Sequence, residues 1–293
     1  MLNGLHEEAV KAINKPEAGD APSTNGNSPT DDVHGAGWVE VGHKQKTSTT
    51  RTTEITESPT TKIFGGKFRS VLHVPGLKTS VTLEPYTALP LDIQAPEVRS
   101  VVDALKHLIA PEKIQGDFKS PKGPSVTATK HMFIETLPPV LILHLKRFQY
   151  DNTTQKIWKK IGYPLELQIP SEAMSPPKRS GLPAKYRLIG VVYHHGKSAS
   201  GGHYTVDVLR QDGKNWIRLD DTVIRRVRSE DVAVDVKDLE TQNAPDGEEQ
   251  DGWVNNGWEE VTANGNGPTS KGEGARYVGK DSKVAYILFY QKL

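Results

Sequence analysis

The residues in this sequence best suited to do chemistry are Gly201-Gly202-His203-Tyr204 and, 17 residues on from the histidine, Leu219-Asp220-Asp221. An imidazole changes charge near neutral pH, its ordinary pKa being ~6.5, so it can take and return a proton. A carboxylate held against one ring nitrogen leaves the other free to act as general base. Two glycines just before the histidine admit backbone that other residues resist and let an extended ligand approach closely. The spacing fits a strand from His203, a turn at Asp212-Gly213 and a returning strand through Trp216, which would set Asp220 beside His203. It fits equally a plain hairpin with a solvated acidic pair at one end. Spacing alone leaves both open.

A histidine–aspartate pair needs a nucleophile or a metal-bound water. The chain contains no Cys, which excludes disulfides, thiolate zinc sites and any cysteine nucleophile of its own. Gly196-Lys197-Ser198-Ala199-Ser200 breaks the Gly-x-Ser-x-Gly elbow at its last position, and His6-Glu7-Glu8-Ala9-Val10 lacks the second histidine of a zincin helix. His194, His195 and His203 are poor joint metal ligands, because adjacent strand residues point to opposite faces. Gly65-Gly66-Lys67 lacks the flanking residues of a phosphate loop and reads as a turn into a strand. No cofactor and no metal is expected. Two thirds of a triad are in hand.

The elements that must position this pair are mostly strands. Leu89-Leu91-Ile93 and Tyr163-Leu165-Leu167-Ile169 alternate with period two, and Val140 to Leu145 is a continuous apolar run, as in a strand covered on both faces. Tyr186 to His195 and His203 to Leu209 form a candidate hairpin, with Trp216 to Leu219 and Val284 to Tyr290 as further strands. Helical spacing appears at Val98, Val101, Val102, Leu105, Leu108 and Ile109, between Pro96 and Pro111, and again at Leu2, Leu5, Ala9, Val10 and Ile13. The second helix is entered without an N-cap. Strands that outnumber helices and neighbour one another in sequence imply an α+β domain with an antiparallel sheet.

Composition bounds the rest. With 37 Lys+Arg against 36 Asp+Glu, the net charge of +1 gives no electrostatic case for nucleic acid or an acidic membrane surface. No apolar window reaches the ~18 residues of a membrane span, and the N-terminus lacks the order of a signal peptide. Lack of Cys is compatible with the cytosol. Residues 15–62 are polar and end in a Thr-rich tract, and 239–276 are rich in Gly, Asn, Asp and Glu. From Glu230 to Glu260 there are eleven acidic residues and one basic, Lys237. Such segments bury too little apolar area to offset ordering entropy, so both are expected to be disordered insertions in a single domain. The echo of Gly37-Trp38-Val39-Glu40-Val41 at Gly257-Trp258-Glu259-Glu260-Val261 has no fixed period behind it and is taken as chance.

The two boxes around His203 and Asp220 resemble the histidine box of the ubiquitin-specific proteases, papain-like cysteine deubiquitinases. Leu137-Pro138-Pro139-Val140-Leu141-Ile142-Leu143-His144-Leu145-Lys146-Arg147-Phe148 looks like another signature stretch of that family, a central palm strand. Tyr163-Pro164-Leu165 and Tyr186 to His194 match the strands between, and Ile63-Phe64-Gly65-Gly66 with Leu91-Asp92-Ile93 resemble the finger connection. Trp38-Val39-Glu40-Val41-Gly42 and Tyr193-His194-His195-Gly196 are similar to the subgroup of human ubiquitin-specific protease ten and its fungal counterparts. The resemblance covers 1–14 and most of 36–290, with 239–276 outside it.

The resemblance implies a papain-like fold, mainly the antiparallel palm and fingers sheet with few helices and the thumb largely missing. It divides the chain into a thumb-helix remnant at 1–14, an insertion at 15–62, palm and fingers with the histidine box at 63–238, the acidic insertion at 239–276, and a final strand at 277–293. It makes His203 the general base, Asp220 its orienter and Asp221 a supporting acceptor. His195, Ser200, Gly201, Gly202 and Tyr204 would line the path of the ubiquitin tail, the 195–200 loop lying over it. Implied partners are ubiquitin, ubiquitinated proteins and an NTF2-like RasGAP-binding protein, in the cytoplasm and also the nucleus. The family's cysteine box and oxyanion glutamine are not in this sequence. The expectation is that the chain starts partway through the domain, as a truncated gene product, and is inactive as given. A non-catalytic ubiquitin-binding module is the alternative. Without the paired zinc-binding Cys of many relatives, any finger region must be held by packing alone.

Overall fold

The computed structural model describes residues 2–13, 38–41, 47–52, 56–118, 120–121, 123, 126–148, 156–196, 201–236 and 284–293. The acidic segment 239–276, the Gly257–Val261 echo, Ser200 and much of 15–62 lie outside them. The elements begin with α1 (Leu2–Ile13), β1 (Trp38–Val41), β2 (Thr47–Thr52), α2 (Pro59–Phe64), β3 (Gly66–His73), β4 (Ser80–Tyr86) and β5 (Leu89–Leu91). They continue with α3 (Val101–Leu108), β6 (Glu112–Gly116), β7 (Val126–Thr136), β8 (Val140–Leu145) and β9 (Glu166–Gln168). The set closes with β10 (Lys185–His195), β11 (His203–Leu209), β12 (Trp216–Asp220), β13 (Val223–Val227) and β14 (Val284–Lys292).

The chain divides into two compact units, one of residues 1–89, 108–141 and 170–183, the other of 90–107, 142–169 and 184–293. The first is built on a six-stranded sheet in the order β1-β2-β4-β3-β7-β6, whose β2/β4 pair is parallel. One expectation fails here. Part of 15–62, read as a disordered insertion, forms β1, β2 and α2. The β-branched threonines that make the tract look low in complexity also suit a strand, and β2 pairs with Ser80–Leu83. Then Ser58 starts α2 with a reciprocal cap: its Oγ accepts from Thr61 N–H at 3.2 Å, while Thr61 Oγ1 accepts from Ser58 N–H at 2.8 Å. Pro59 at the first helical position needs no donor, and Ser58 Oγ also meets His6 Nδ1 of α1 at 2.8 Å. Strands β4, β6 and β7 were not anticipated either, since charged and polar residues interrupt their alternation.

The second unit carries the sheet β13-β12-β11-β10-β14-β8-β5, with β9 also pairing β10. From β13 through β14 each neighbouring pair is antiparallel. The apolar run Val140–Leu145 is β8, and Leu141, Ile142, Leu143 and Leu145 are all buried, as a two-sided strand requires. The core adds Tyr186, Leu188 and Val191 of β10 to Leu288 and Tyr290 of β14. Helix α3 starts at Val101 rather than Val98. Ser100 and Asp103 form the reciprocal cap there, Asp103 N–H to Ser100 Oγ at 3.1 Å and Ser100 N–H to Asp103 Oδ2 at 2.9 Å, and Val98 packs in the core from the turn before the helix, its N–H bonded to the Ala95 carbonyl. Tyr163, expected to open a strand, makes only an isolated bridge to Val234. Among the described residues no helix is long and apolar enough to cross a membrane.

Candidate active site

The β11–β12 hairpin fixes the pair by its register. Its turn is tied by Asp212, whose Oδ1 accepts from the N–H groups of Lys214 and Asn215 at 2.9 Å each, with Gly213 at φ 68°. A side-chain bond from Asn215 Nδ2 to its Oδ2 at 2.9 Å, followed by those two backbone bonds, holds the exposed Asp212 carboxyl down to about 2. Leu209 then pairs with Trp216 and Val206 with Leu219, so Asp220 falls on the face of Thr205 and His203. Asp220 Oδ1 meets His203 Nε2 at 2.5 Å. Its other oxygen accepts from Arg225 Nη2 at 3.3 Å. The carboxylate is mostly covered, at 19% side-chain exposure, while the imidazole stays open at 43%. Asp221 follows at φ 50°, a left-handed turn conformation that Asp tolerates, and its Oδ2 stands 3.9 Å from His203 Nδ1. So Nε2 is anchored and Nδ1 faces outward.

Around the pair, His195 is the register partner of His203, its ring 5.6 Å away by centroid and its Nε2 3.0 Å from Thr205 Oγ1. His194 takes the opposite face, buried against Tyr204 at 4.8 Å and Phe148 at 5.3 Å between centroids. Burial first, then the Lys156 charge, lower its pKa, the nearby Gly201 backbone pulling the other way. This parity separates His194 from His195 and His203, as the alternation argument required. His203, Asp220 and Asp221 each offer a ligand atom within 4.8 Å of the others. A cation there would compete with the hydrogen bonds already made by Asp220.

The two glycines differ. Gly202 has φ 144°, and a Cβ on it would collide with the His195 carbonyl and lie 2.6 Å from His194 Nε2. A Cβ on Gly201 would meet nothing within 4 Å. Gly202→Ala should therefore cost about 2–4 kcal/mol, combining backbone strain with overpacking. Gly201→Ala should stay within about 0.5 kcal/mol. Urea titration of the two variants checks this, and equal losses would mean the stem is not held as described.

Sequence reasoning did not find Arg225 or Lys156. The two-residue turn Asp221-Thr222 sets Arg225 opposite Arg218, on the face of Asp220, a signal that was readable once β13 was recognised. Lys156 Nζ donates to the carbonyls of His194 and Gly196 at 2.8 and 2.9 Å, contacts some 40 residues apart with no local signature.

A family profile described as ubiquitin carboxyl-terminal hydrolase matches residues 1–290. The chain is 53% identical over 202 residues to "Probable ubiquitin carboxyl-terminal hydrolase 3" of Schizosaccharomyces pombe, covering 68% of this chain and 39% of that protein. It is 41% identical over 242 residues to ubiquitin carboxyl-terminal hydrolase 10 of Rattus norvegicus, covering 77% of this chain and 30% of that one. It thus spans well under half the length of these relatives. Among solved structures it is similar to the SAGA DUB module Ubp8/Sgf11/Sus1/Sgf73 bound to monoubiquitin, with a TM-score of 0.56 at 21% identity over 81% of this chain and 42% of that one. That likeness bears on fold alone, and it agrees with the α+β, mostly antiparallel architecture. The residues that carry the histidine pair and those that carry the sheet fall within one match, and the chain belongs to the ubiquitin carboxyl-terminal hydrolase family.

Proposed function

We propose that this chain contributes the base, its orienter and much of the ubiquitin platform of a thiol-dependent ubiquitinyl hydrolase. The observation that carries the reading is the 2.5 Å contact between His203 Nε2 and Asp220 Oδ1, on the hairpin whose sequence resembles the family's histidine box. His203 Nδ1 takes the proton of a cysteine thiol that this chain does not supply. The thiolate attacks the carbonyl of the terminal ubiquitin glycine, the amine leaves with the proton from the imidazolium, and water hydrolyses the thioester. Asp220 holds the ring and stabilises its charged form, Arg225 holds Asp220, and Asp221 adds negative charge beside Nδ1. His195, Gly201 and Gly202 lie on the side of His203 and would line the tail, while Tyr204 packs on His194 of the other face and would support that path from behind. Ubiquitin and its conjugates are the partners. An NTF2-like RasGAP-binding protein and a cytoplasmic and nuclear location rest on resemblance alone.

The total absence of Cys favours a second reading, a ubiquitin-binding module without catalysis. Purified chain should neither cleave a ubiquitin–fluorophore conjugate nor be labelled by ubiquitin vinyl sulfone. Fusing a relative's cysteine box ahead of residue 1 should restore both. Labelling of the unmodified chain that survives stringent purification would overturn the assignment, and a fused chain that binds ubiquitin yet stays inert would favour the module.

A further inference from the structure

We propose that Lys156 is a positioning residue that sets the stem of the His203 hairpin, and through it the passage along Gly201 and Gly202 that a glycine-ended peptide tail would take. The tail part of this proposal rests on the ubiquitin-hydrolase reading. Lys156 is only 6% exposed, and among the described residues both its hydrogen bonds go to backbone carbonyls, those of His194 and Gly196. These carbonyls flank His195, the register partner of His203. Two acceptors two residues apart converge on one ammonium because the strand ends here, with Gly196 at φ 106°. The Trp158 ring completes the cradle, its centroid 3.9 Å from Nζ.

The clamp reaches the site in two steps. A Cβ on Gly196 would lie 3.1 Å from Gly202 Cα, so the two sides of the stem touch. Gly202 in turn precedes His203 and is walled in by His194 and the His195 carbonyl. A shift of the Gly196 carbonyl is therefore passed to Gly202 and then to the base. A buried ammonium without a carboxylate partner is costly to keep, and an apolar side chain of similar length would fill the space at lower cost. What the charge does here is orient two carbonyls.

The charged and titratable groups facing Lys156 are Arg147, which lies before it in the same arm of the fold, and His194 of β10. Burial first and Arg147 second push the Lys156 pKa down to about 8. Between that value and the ordinary 10.5 the folded chain binds fewer protons than the unfolded one, so this group makes the fold more stable as pH rises. The clamp meanwhile weakens over the same range, because the neutral amine loses its charge over Trp158 and against the carbonyls. Loosening of the stem above pH 8 is thereby separable from unfolding.

The test uses the chain itself, labelled with nitrogen-15. The amides of Gly196, Gly202 and His203 should titrate with a shared midpoint near 8. Lys156→Met should abolish that midpoint, and Lys156→Arg should abolish it while keeping near-native shifts. Intact ubiquitin should bind the Met variant roughly tenfold more weakly than the wild type, as expected when the stem residues Gly196 and Gly202 are less preorganised. Ubiquitin lacking its terminal glycines should bind both alike. Amides of Gly202 and His203 that keep their wild-type shifts in Lys156→Met, or equal losses for the two ubiquitins, would overturn the proposal. If neither ubiquitin binds wild type, the hydrolase reading fails, while the amide comparison, which needs no ligand, still decides the clamp.

Discussion

His203→Ala, in a fusion that supplies a relative's cysteine-bearing segment, should lower kcat/KM on a ubiquitin–fluorophore conjugate by at least ~100-fold, because only a thiolate is a competent nucleophile. The ring is held at Nε2 by Asp220 and presents Nδ1, so it has one nitrogen for orientation and one for the proton. Asp220→Ala should cost the same or less, since that carboxylate orients and stabilises without transferring a proton. Asp221 stands 3.9 Å from Nδ1 and makes no hydrogen bond to it, so its removal should cost least of the three. His195→Ala is the control: its ring touches His203 but is bonded to Thr205. If His195→Ala were the null and His203→Ala near normal, the base would be misassigned.

Arg147→Ala should be the most damaging change to stability, with a loss of about 3–5 kcal/mol and a fall in Tm on the order of 10 °C. Arg147 is 1% exposed and spends its donors on three carbonyls: Nε to Ala285 at 2.5 Å, Nη1 to Ile157 and Lys159 at 2.8 Å each. It thereby ties the segment before β9 to β14. Truncation orphans one buried and two half-buried acceptors and opens a cavity the size of the side chain. Burial pushes its pKa down to about 10, which still leaves it charged at neutral pH. Arg147→Lys should recover only part of the loss, because one ammonium cannot reproduce the planar fork. Thermal unfolding followed by circular dichroism measures this, and a loss below about 1 kcal/mol would show that water replaces the guanidinium.

What the sequence revealed was local or compositional. The run at β8 announced a strand buried on both faces, and the interval between His203 and Asp220, with Asp212-Gly213 inside it, announced the hairpin that joins them. Where reading failed, the cause was non-local or hidden by composition. Nothing in Thr47–Thr52 says that Ser80–Leu83 waits beside it. The β7 strand, 11 residues long, is half exposed and mixes charges with its apolar positions, which blurs a period of two. The cap at Ser58 was legible in principle, as Ser-Pro-Thr-Thr, but was lost among neighbouring threonines. Lys156 and Arg147 act on backbone carbonyls, and an acceptor that every residue possesses leaves no trace in side-chain spelling.

Strand β14 pairs with β10 although Val236 and Val284 bracket a long connection between them. Closing a chain segment costs entropy that grows only with the logarithm of its length, about 0.6 kcal/mol for each doubling. That connection can therefore lengthen or shorten at small cost, so long as β14 keeps its slot between β8 and β10. The short hairpin that pairs His203 with Asp220 closes within its own few residues and is indifferent to the change. Length variation at this point leaves the register that sets His203 and Asp220 side by side untouched.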